Sequence, residues 1–211
     1  MLRFLVADDH AVTRRGIKEI LLEAYTACEV IAVSTAEELI KEVSNGRWDV
    51  VISDINMPGR SGLEIISILK KEYPEIPVLI LTMHSEAEYA IRVIRSGGAG
   101  YLSKDDAIDE ELVKAINQIL QGRKYITSSI AEMLANEVSH ENSEKKLHET
   151  LSDREFDVFK LIAQGKATGK IADQLSLSVN TIGTFRRRIL EKMKMSSNSE
   201  IVAYAIHHNI I

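Results

Sequence analysis

The acidic pair Asp8-Asp9 and the single residues Asp54, Thr82 and Lys104 are side chains that could do chemistry together. Each lies at or just beyond the end of a short apolar run. LRFLVA (2–7) leads into Asp8-Asp9, DVVISD (49–54) ends in Asp54, PVLILTM (77–83) carries Thr82 near its end, and AGYLS (99–103) leads into Lys104. A carboxylate closing a β-rich run is a liability unless its charge is used. Three clustered carboxylates repel one another, and a hard divalent cation relieves that repulsion. Mg2+ suits such a place, because it takes one or two carboxylates and fills its other positions with water and phosphate oxygens. Beside it Asp54 can act as a nucleophile, Thr82 can donate to a phosphoryl oxygen and Lys104 can pair with its charge. Singly, each residue has a plainer role: a helix N-cap for Asp8, a turn start for Asp54, a β-former at 82, a solvated lysine at 104. Their shared position at successive run ends argues for one site.

Such a site needs elements that bring the run ends together. The runs 2–7, 29–34, 49–54, 77–83 and 99–103 are short and rich in β-formers, so they read as strands. Helical patterns separate or follow them at about 12–24, 35–45, 62–73, 85–96 and 106–121; in 62–73, Leu63, Ile66 and Leu69 recur at intervals of three. Five strand–helix repeats predict an α/β fold, a parallel sheet covered on both faces. Ligands of open α/β sheets bind outside the carboxyl ends of the strands, where all five residues fall.

Beyond this body the composition changes. A helix-prone stretch, SSIAEMLANEVS (128–139), is followed by the polar HENSEKKLHET (140–150), a linker by composition. The remainder has no β-rich run and reads as four helices, at about 152–164, 168–175, 179–193 and 198–207. Turn signals fall between them at Gly165, Ser176-Leu177-Ser178 and Ser196-Ser197.

Charge follows the same division. The chain has 211 residues and a formal net charge of -5, yet residues 151–211 carry nine Lys+Arg against six Asp+Glu. Their charge concentrates in Arg186, Arg187 and Arg188, so the C-terminal segment is the part suited to a polyanion. One cysteine, Cys28, permits no internal disulfide, which fits a reducing compartment; a buried small hydrophobe is its expected role. No stretch approaches the ~20 apolar residues that span a bilayer, and the N-terminus turns acidic too early for a signal peptide. The expected location is cytoplasmic, with no membrane partner.

Residues 1–121 resemble a response-regulator receiver domain. The resemblance is carried by Asp8-Asp9, the DINMPGRSG stretch after and including Asp54, the LTM with Thr82, and GYLSK with Tyr101 and Lys104. It implies a flavodoxin-like five-stranded parallel sheet and phosphoryl transfer from a sensor histidine kinase to Asp54. The acidic residues Asp8, Asp9 and Asp54, with the backbone carbonyl of Asn56, would hold Mg2+. Tyr101 would be the aromatic that turns inward when Thr82 moves to the phosphoryl group; from the residues alone it reads equally as a half-buried β residue. Pro58 and Gly62 fit the shape of the loop after Asp54.

The C-terminal segment pairs two short helices around Leu175-Ser176-Leu177-Ser178, with Ser178 or Asn180 available to cap the second. That second helix carries Thr181, Gly183, Thr184, three arginines, Lys192 and Lys194, and a basic helix after a tight turn suits a DNA major groove. Residues 150–211 resemble the LuxR-type helix-turn-helix domain, through LSDRE (151–155), LIAQGK (161–166), KIADQLSLSVNTI (170–182), RRRIL (186–190) and EIVAYAIHHNII (200–211). With the receiver, the whole chain resembles the NarL/FixJ family: a receiver at 1–121, a helix and linker at 122–149, and a small all-α output domain at 150–211. The resemblance implies double-stranded DNA as ligand and a homodimer, paired through the final helix. Base contacts would fall to Gly183, Thr184 and Arg187, and phosphate contacts to Thr181, Arg188 and Lys192. Two stretches depart from the family pattern. Ala167-Thr168-Gly169-Lys170 stands where Ser-Asn-Lys-Glu is usual, and Thr181-Ile182-Gly183-Thr184-Phe185 stands where Thr-Val-Lys-x-His is usual. Gly183 removes a side chain that could touch DNA, and Phe185 is expected to pack inward.

The expected function is therefore a response-regulator transcription factor, switched by phosphorylation of Asp54 and without a small-molecule product of its own. A DNA-binding protein whose receiver serves only for dimerisation is the alternative, and the complete set of five residues speaks against it. An aspartyl-nucleophile phosphatase of the haloacid-dehalogenase kind needs a second carboxylate two residues after the nucleophile, where this chain has Asn56.

Overall fold

In a computed structural model the described residues are 1–57, 60–83, 86–105, 109–139, 146–208 and 210–211. Pro58 and most of the linker, residues 140–145, lie outside them. The chain divides into two units, Met1–Ala135 and Asn136–Ile211.

The first unit alternates strands and helices: β1 (Leu2–Ala7), α1 (Ala11–Ala24), β2 (Cys28–Val33), α2 (Ala36–Ser44), β3 (Val50–Ser53), α3 (Gly62–Glu72), β4 (Val78–Thr82), α4 (Glu86–Arg95), β5 (Gly100–Ser103) and α5 (Asp109–Leu120). All strand pairs are parallel, in the order β2-β1-β3-β4-β5. The central strands β3 and β4 are buried along their whole length because both faces are covered, whereas β1 and the edge strand β2 carry the partly exposed pair Arg3 and Glu29 near their starts. On one face Phe4, Val6, Ile52, Leu81 and Leu102 form a core with Ile17 and Leu21 of α1 and Leu112 and Ile116 of α5. The alternate residues Leu5, Val51, Ile80 and Tyr101 are equally buried and point to the opposite face.

Local sequence chemistry places the helices around this sheet. Ser61 and Glu64 form a capping box at the start of α3, which sets that helix directly behind the Asp54 loop. Thr35 caps α2 in a similar way. After α5 the chain returns to the sheet edge, where Tyr125 pairs with Gly100 and its N–H donates to the Ala99 carbonyl at 2.8 Å. Helix α6 (Ser128–Ser139) follows.

The second unit contains α7 (Asp153–Ala163), α8 (Thr168–Gln174), α9 (Val179–Lys192) and α10 (Asn198–His207). The linker assigned by composition to 140–150 ends earlier than expected: residues Leu147–Thr150 form a 3-10 helix. His148 fastens it, with Nδ1 3.0 Å from the Tyr204 hydroxyl on α10. Polarity had suggested solvent, but an imidazole among aromatic neighbours gains both a hydrogen bond and ring contacts.

Candidate functional site

The register of the sheet decides which acidic residues meet. Ala7 of β1 pairs with Ser53 of β3, so the next residues, Asp8 and Asp54, leave adjacent strand ends side by side. Both are still held by the ladder, Asp54 N–H donating to Ala7 O at 2.8 Å and Asp8 N–H to Val33 O at 3.3 Å. Both are nearly enclosed, at 1% and 4% exposure for Asp8 and Asp54. Asp54 thus sits one residue past β3 rather than inside it.

Lys104 follows β5 and reaches back over the strand ends. Its Nζ lies 2.6 Å from Asp8 Oδ2 and 2.7 Å from Asp54 Oδ2, with 9% of the side chain exposed. Burial works to lower its pKa, but the charges and hydrogen bonds of Asp54 and Asp8 outweigh it and hold the ammonium above the ordinary lysine value. The Lys104 N–H also donates to Thr82 O at 2.7 Å, which ties the ends of β4 and β5 together.

Thr82 is 1% exposed at the end of β4. It shares a sheet face with Ile80, which pairs with Tyr101 across β4 and β5. Tyr101 is fully enclosed, not half-buried. Asn56 is exposed, and its N–H donates to Asp54 Oδ1 at 3.3 Å. Gly62, at the first position of α3, packs against this loop. A Cβ there would stand 2.6 Å from the Asp54 carbonyl oxygen, and the Gly62 N–H donates to Ile55 O at 2.8 Å.

Asp8, Asp9 and Asp54 therefore come together as expected from their run ends, and a fourth residue joins them. Ligand atoms of Asp8, Asp9, His10 and Asp54 all lie within 4.8 Å of one another. His10 Nδ1 is 2.7 Å from Asp9 Oδ1 and 3.3 Å from Asp8 Oδ1. The adjacency Asp-Asp-His was visible in the chain, but only the turn before α1 shows that the imidazole folds back onto the carboxylates. As a donor set, clustered carboxylate oxygens with three formal negative charges against one ammonium fit a dication.

In the second unit, α8 and α9 form a helix-turn-helix. Ser176 in the turn takes a left-handed backbone, φ 54°. Ser178, and not Asn180, caps α9: its Oγ accepts from Thr181 N–H at 3.1 Å. Ile182 and Ile189 are buried and hold the helix to its neighbours. Gly183, Arg187 and Arg188 are exposed, while Thr181 and Thr184 are half-buried. Phe185 is also half-buried, so it packs inward only in part. The Thr184 hydroxyl donates to Asn180 O at 3.1 Å. Arg186 is directed elsewhere, its Nε donating to Asn198 Oδ1 at 2.6 Å.

Lys192 has a partner that its position in the chain did not reveal. Its Nζ lies 2.6 Å from Oε2 of Glu155, which is 3% exposed on α7, and 3.4 Å from the Thr150 carbonyl. Burial pushes the Glu155 carboxyl up, but Lys192 and the Ser152 N–H outweigh it and hold it below the ordinary glutamate value. In the sequence Glu155 stood only as the last residue of LSDRE; in the structure it also closes a capping box with Ser152.

Comparison with known proteins agrees with both halves. Residues 4–117 match the response regulator receiver domain, and residues 149–205 match the bacterial regulatory proteins of the luxR family. Response regulator GacA of Pseudomonas aeruginosa is 33% identical over 211 residues, all of this chain and 98% of that protein. The oxygen regulatory protein NreC of Staphylococcus haemolyticus is 34% identical over 217 residues, covering 100% of this chain and 99% of that protein. The fold is shared with RcsB of Salmonella enterica serovar Typhimurium, solved bound to a promoter in the presence of a phosphomimetic: TM-score 0.63, 23% identity, 96% of this chain and 97% of that one. Among the described residues no helix is long and apolar enough to cross a membrane. The chain belongs to the NarL/FixJ family of two-component response regulators, joining a receiver domain to a LuxR-type helix-turn-helix DNA-binding domain.

Proposed function

We propose that the chain is a phosphorylation-switched transcription factor, with a receiver at 1–121, a helix and linker at 122–149 and an output domain at 150–211. Asp54 is the phosphoacceptor. A carboxylate oxygen of Asp54 attacks the phosphorus of a phosphohistidine on a sensor histidine kinase; the P–N bond breaks and an acyl phosphate forms. The observation that carries this reading is the contact of Lys104 Nζ with Asp54 Oδ2 at 2.7 Å, among carboxylates at the carboxyl ends of parallel strands.

Asp8, Asp9, Asp54 and the backbone carbonyl of Asn56 would hold Mg2+. The ion supplies positive charge against the phosphoryl oxygens. Lys104 is already charged and positioned to pair with a phosphoryl oxygen, and the Thr82 hydroxyl donates to another. Tyr101, next to Thr82 on the same sheet face and already enclosed, would be held in that inward position by a Thr82 that has moved to the phosphoryl group, which carries the change to the β5 side of the sheet. The phosphoryl group stays on Asp54 as the acyl phosphate until water removes it as inorganic phosphate, so the chain is a regulator and not a metabolic enzyme.

The output is DNA binding as a homodimer in the cytoplasm. Gly183, Thr184 and Arg187 face base edges; Thr181, Arg188 and Lys192 face phosphates, the Lys192 ammonium sharing its hydrogen bonds between Glu155 and the phosphate. Ile206, 59% exposed on α10, supports pairing through that helix. RcsB, which shares the fold, is solved on promoter DNA in the presence of a phosphomimetic.

The test is fluorescence anisotropy with DNA from the chain's own upstream region, with and without a small phosphodonor and Mg2+. Binding that tightens with the donor in the wild type, but not in Asp54→Asn, supports the reading. Equal binding in every condition leaves the alternative, a DNA-binding regulator whose receiver serves for dimerisation.

A further inference from the structure

Helix α9 opens with an exposed apolar side chain that the packing of its own unit does not use. Val179 is the first residue of the helix, directly after the Ser178 cap, and is 55% exposed. Ile182 and Ile189 are the buried side chains that hold the helix in place. The hydroxyls near Val179 are occupied. Ser178 Oγ accepts from the Thr181 N–H at 3.1 Å and lies 2.7 Å from the Thr181 hydroxyl, and the Thr184 hydroxyl donates to Asn180 O at 3.1 Å. Side chains four residues apart stand above one another on a helix, so Val179, Gly183 and Arg187 share one stripe. All three are exposed, and a Cβ at Gly183 would meet nothing within 4 Å. The stripe thus offers a ligand an apolar group, then bare backbone, then a guanidinium.

In a helix-turn-helix the first residues of the second helix meet base edges in the major groove. Of the groups displayed there, the C5-methyl of thymine is the apolar one, and the others are hydrogen-bond donors and acceptors. A valine can satisfy none of those, and a polar base edge covered by it would lose water without gaining a partner. We infer that Val179 is a specificity-determining residue of the output domain, and that its γ-methyl groups pack against the C5-methyl of a thymine. The inference rests on the DNA-binding reading above. Gly183 adds no side chain to the stripe, so the choice of base beside its start falls to Val179, while Arg187 keeps the base contact proposed above.

The test begins with a pool of duplexes carrying a randomised core, enriched on the full chain in the presence of a small phosphodonor and Mg2+. Enriched duplexes are remade with each thymine in turn replaced by uracil, which removes only the C5-methyl. Binding is then read by anisotropy for the wild type, Val179→Ala and Val179→Thr. Val179 is exposed and makes no cap, so both variants keep the helix start, which circular dichroism verifies. The expected result is one thymine at which uracil weakens the wild type by about fourfold, the worth of one methyl group removed from water. In Val179→Ala the thymine duplex binds about fourfold more weakly and uracil at that position costs nothing further. Val179→Thr, which keeps one γ-methyl, retains part of the uracil penalty. The salt dependence is the same in every combination, because no phosphate contact changes. A wild type indifferent to uracil at every position overturns the inference while the DNA-binding reading stands. A uracil penalty as large in Val179→Ala as in the wild type overturns it too, since the methyl group is then read by another side chain or through duplex shape. A wild type that enriches no sequence, with or without the phosphodonor, overturns the DNA-binding reading itself and the inference with it.

Discussion

The ammonium of Lys104 donates to Asp54 at 2.7 Å across the intervening end of β4, and the same nitrogen holds Asp8 at 2.6 Å. One cation from β5 is thus shared by two nearly enclosed carboxylates from β3 and β1. That arrangement makes the metal-free site electrostatically dependent on Lys104, and once Asp9 is counted three carboxylates face one ammonium, an excess of negative charge that a dication would offset.

Lys104→Ala is therefore expected to destabilise the receiver by about 3 kcal/mol, because it strands buried carboxylates without their partner. Mg2+ should recover part of the loss by replacing the missing charge. Thermal unfolding with a chelator and with saturating Mg2+ checks this. An equal loss in both conditions would show that the charge balance is not what Lys104 contributes.

Gly62→Ala places a Cβ 2.6 Å from the Asp54 carbonyl oxygen and 2.9 Å from the Ile55 Cα. Both contacts are backbone, so no side chain can swing away. A loss of about 2 kcal/mol in urea unfolding is expected, with slower phosphorylation by a small phosphodonor because the Asp54 loop is displaced.

Gly183 stands in the interior of α9, exposed, and a Cβ there would meet nothing within 4 Å. The fold does not require the glycine, so Gly183→Ala should stabilise the C-terminal unit by about 1 kcal/mol. Gly183→Lys should bind DNA more tightly and steepen the salt dependence by about one unit, as expected for one added phosphate contact. Anisotropy at several salt concentrations reads this directly. A lysine that changes neither affinity nor slope would place residue 183 away from the DNA.

The Glu155–Lys192 pair links α7 to the end of α9. The Glu155 carboxyl is held below the ordinary glutamate value of 4.5. A depressed carboxylate contributes stability above that value and loses it as pH falls through the lowered one. Because Lys192 is 41% exposed, the pair is screened, and Glu155→Gln should cost about 1 kcal/mol at neutral pH. The gap between wild type and variant should narrow as pH falls through the lowered Glu155 pKa, in urea unfolding followed from pH 7 downward. A gap that persists at acid pH would assign the effect to packing.

Much of this molecule is written in short-range chemistry. Alternating β-rich runs and amphipathic stretches are enough for a parallel α/β body, since period and composition decide which backbone a segment can bury. Asp8, Asp9, Asp54, Thr82 and Lys104 were readable because parallel strands deliver their carboxyl ends to one rim whatever the details. The basic helix after a tight turn was readable for the same local reason. The tertiary structure decided what depends on register and on return of the chain. The pairing of Ala7 with Ser53 sets Asp8 beside Asp54. The backbone before α1 turns His10 onto the acids, and the packing of α7 on α9 gives Lys192 a buried carboxylate. The 3-10 helix at Leu147–Thr150 was hidden in a polar segment because its stabilising partner, Tyr204, lies 56 residues from His148. Contacts between residues so far apart leave no periodic mark in the chain, and only the packed fold brings them together.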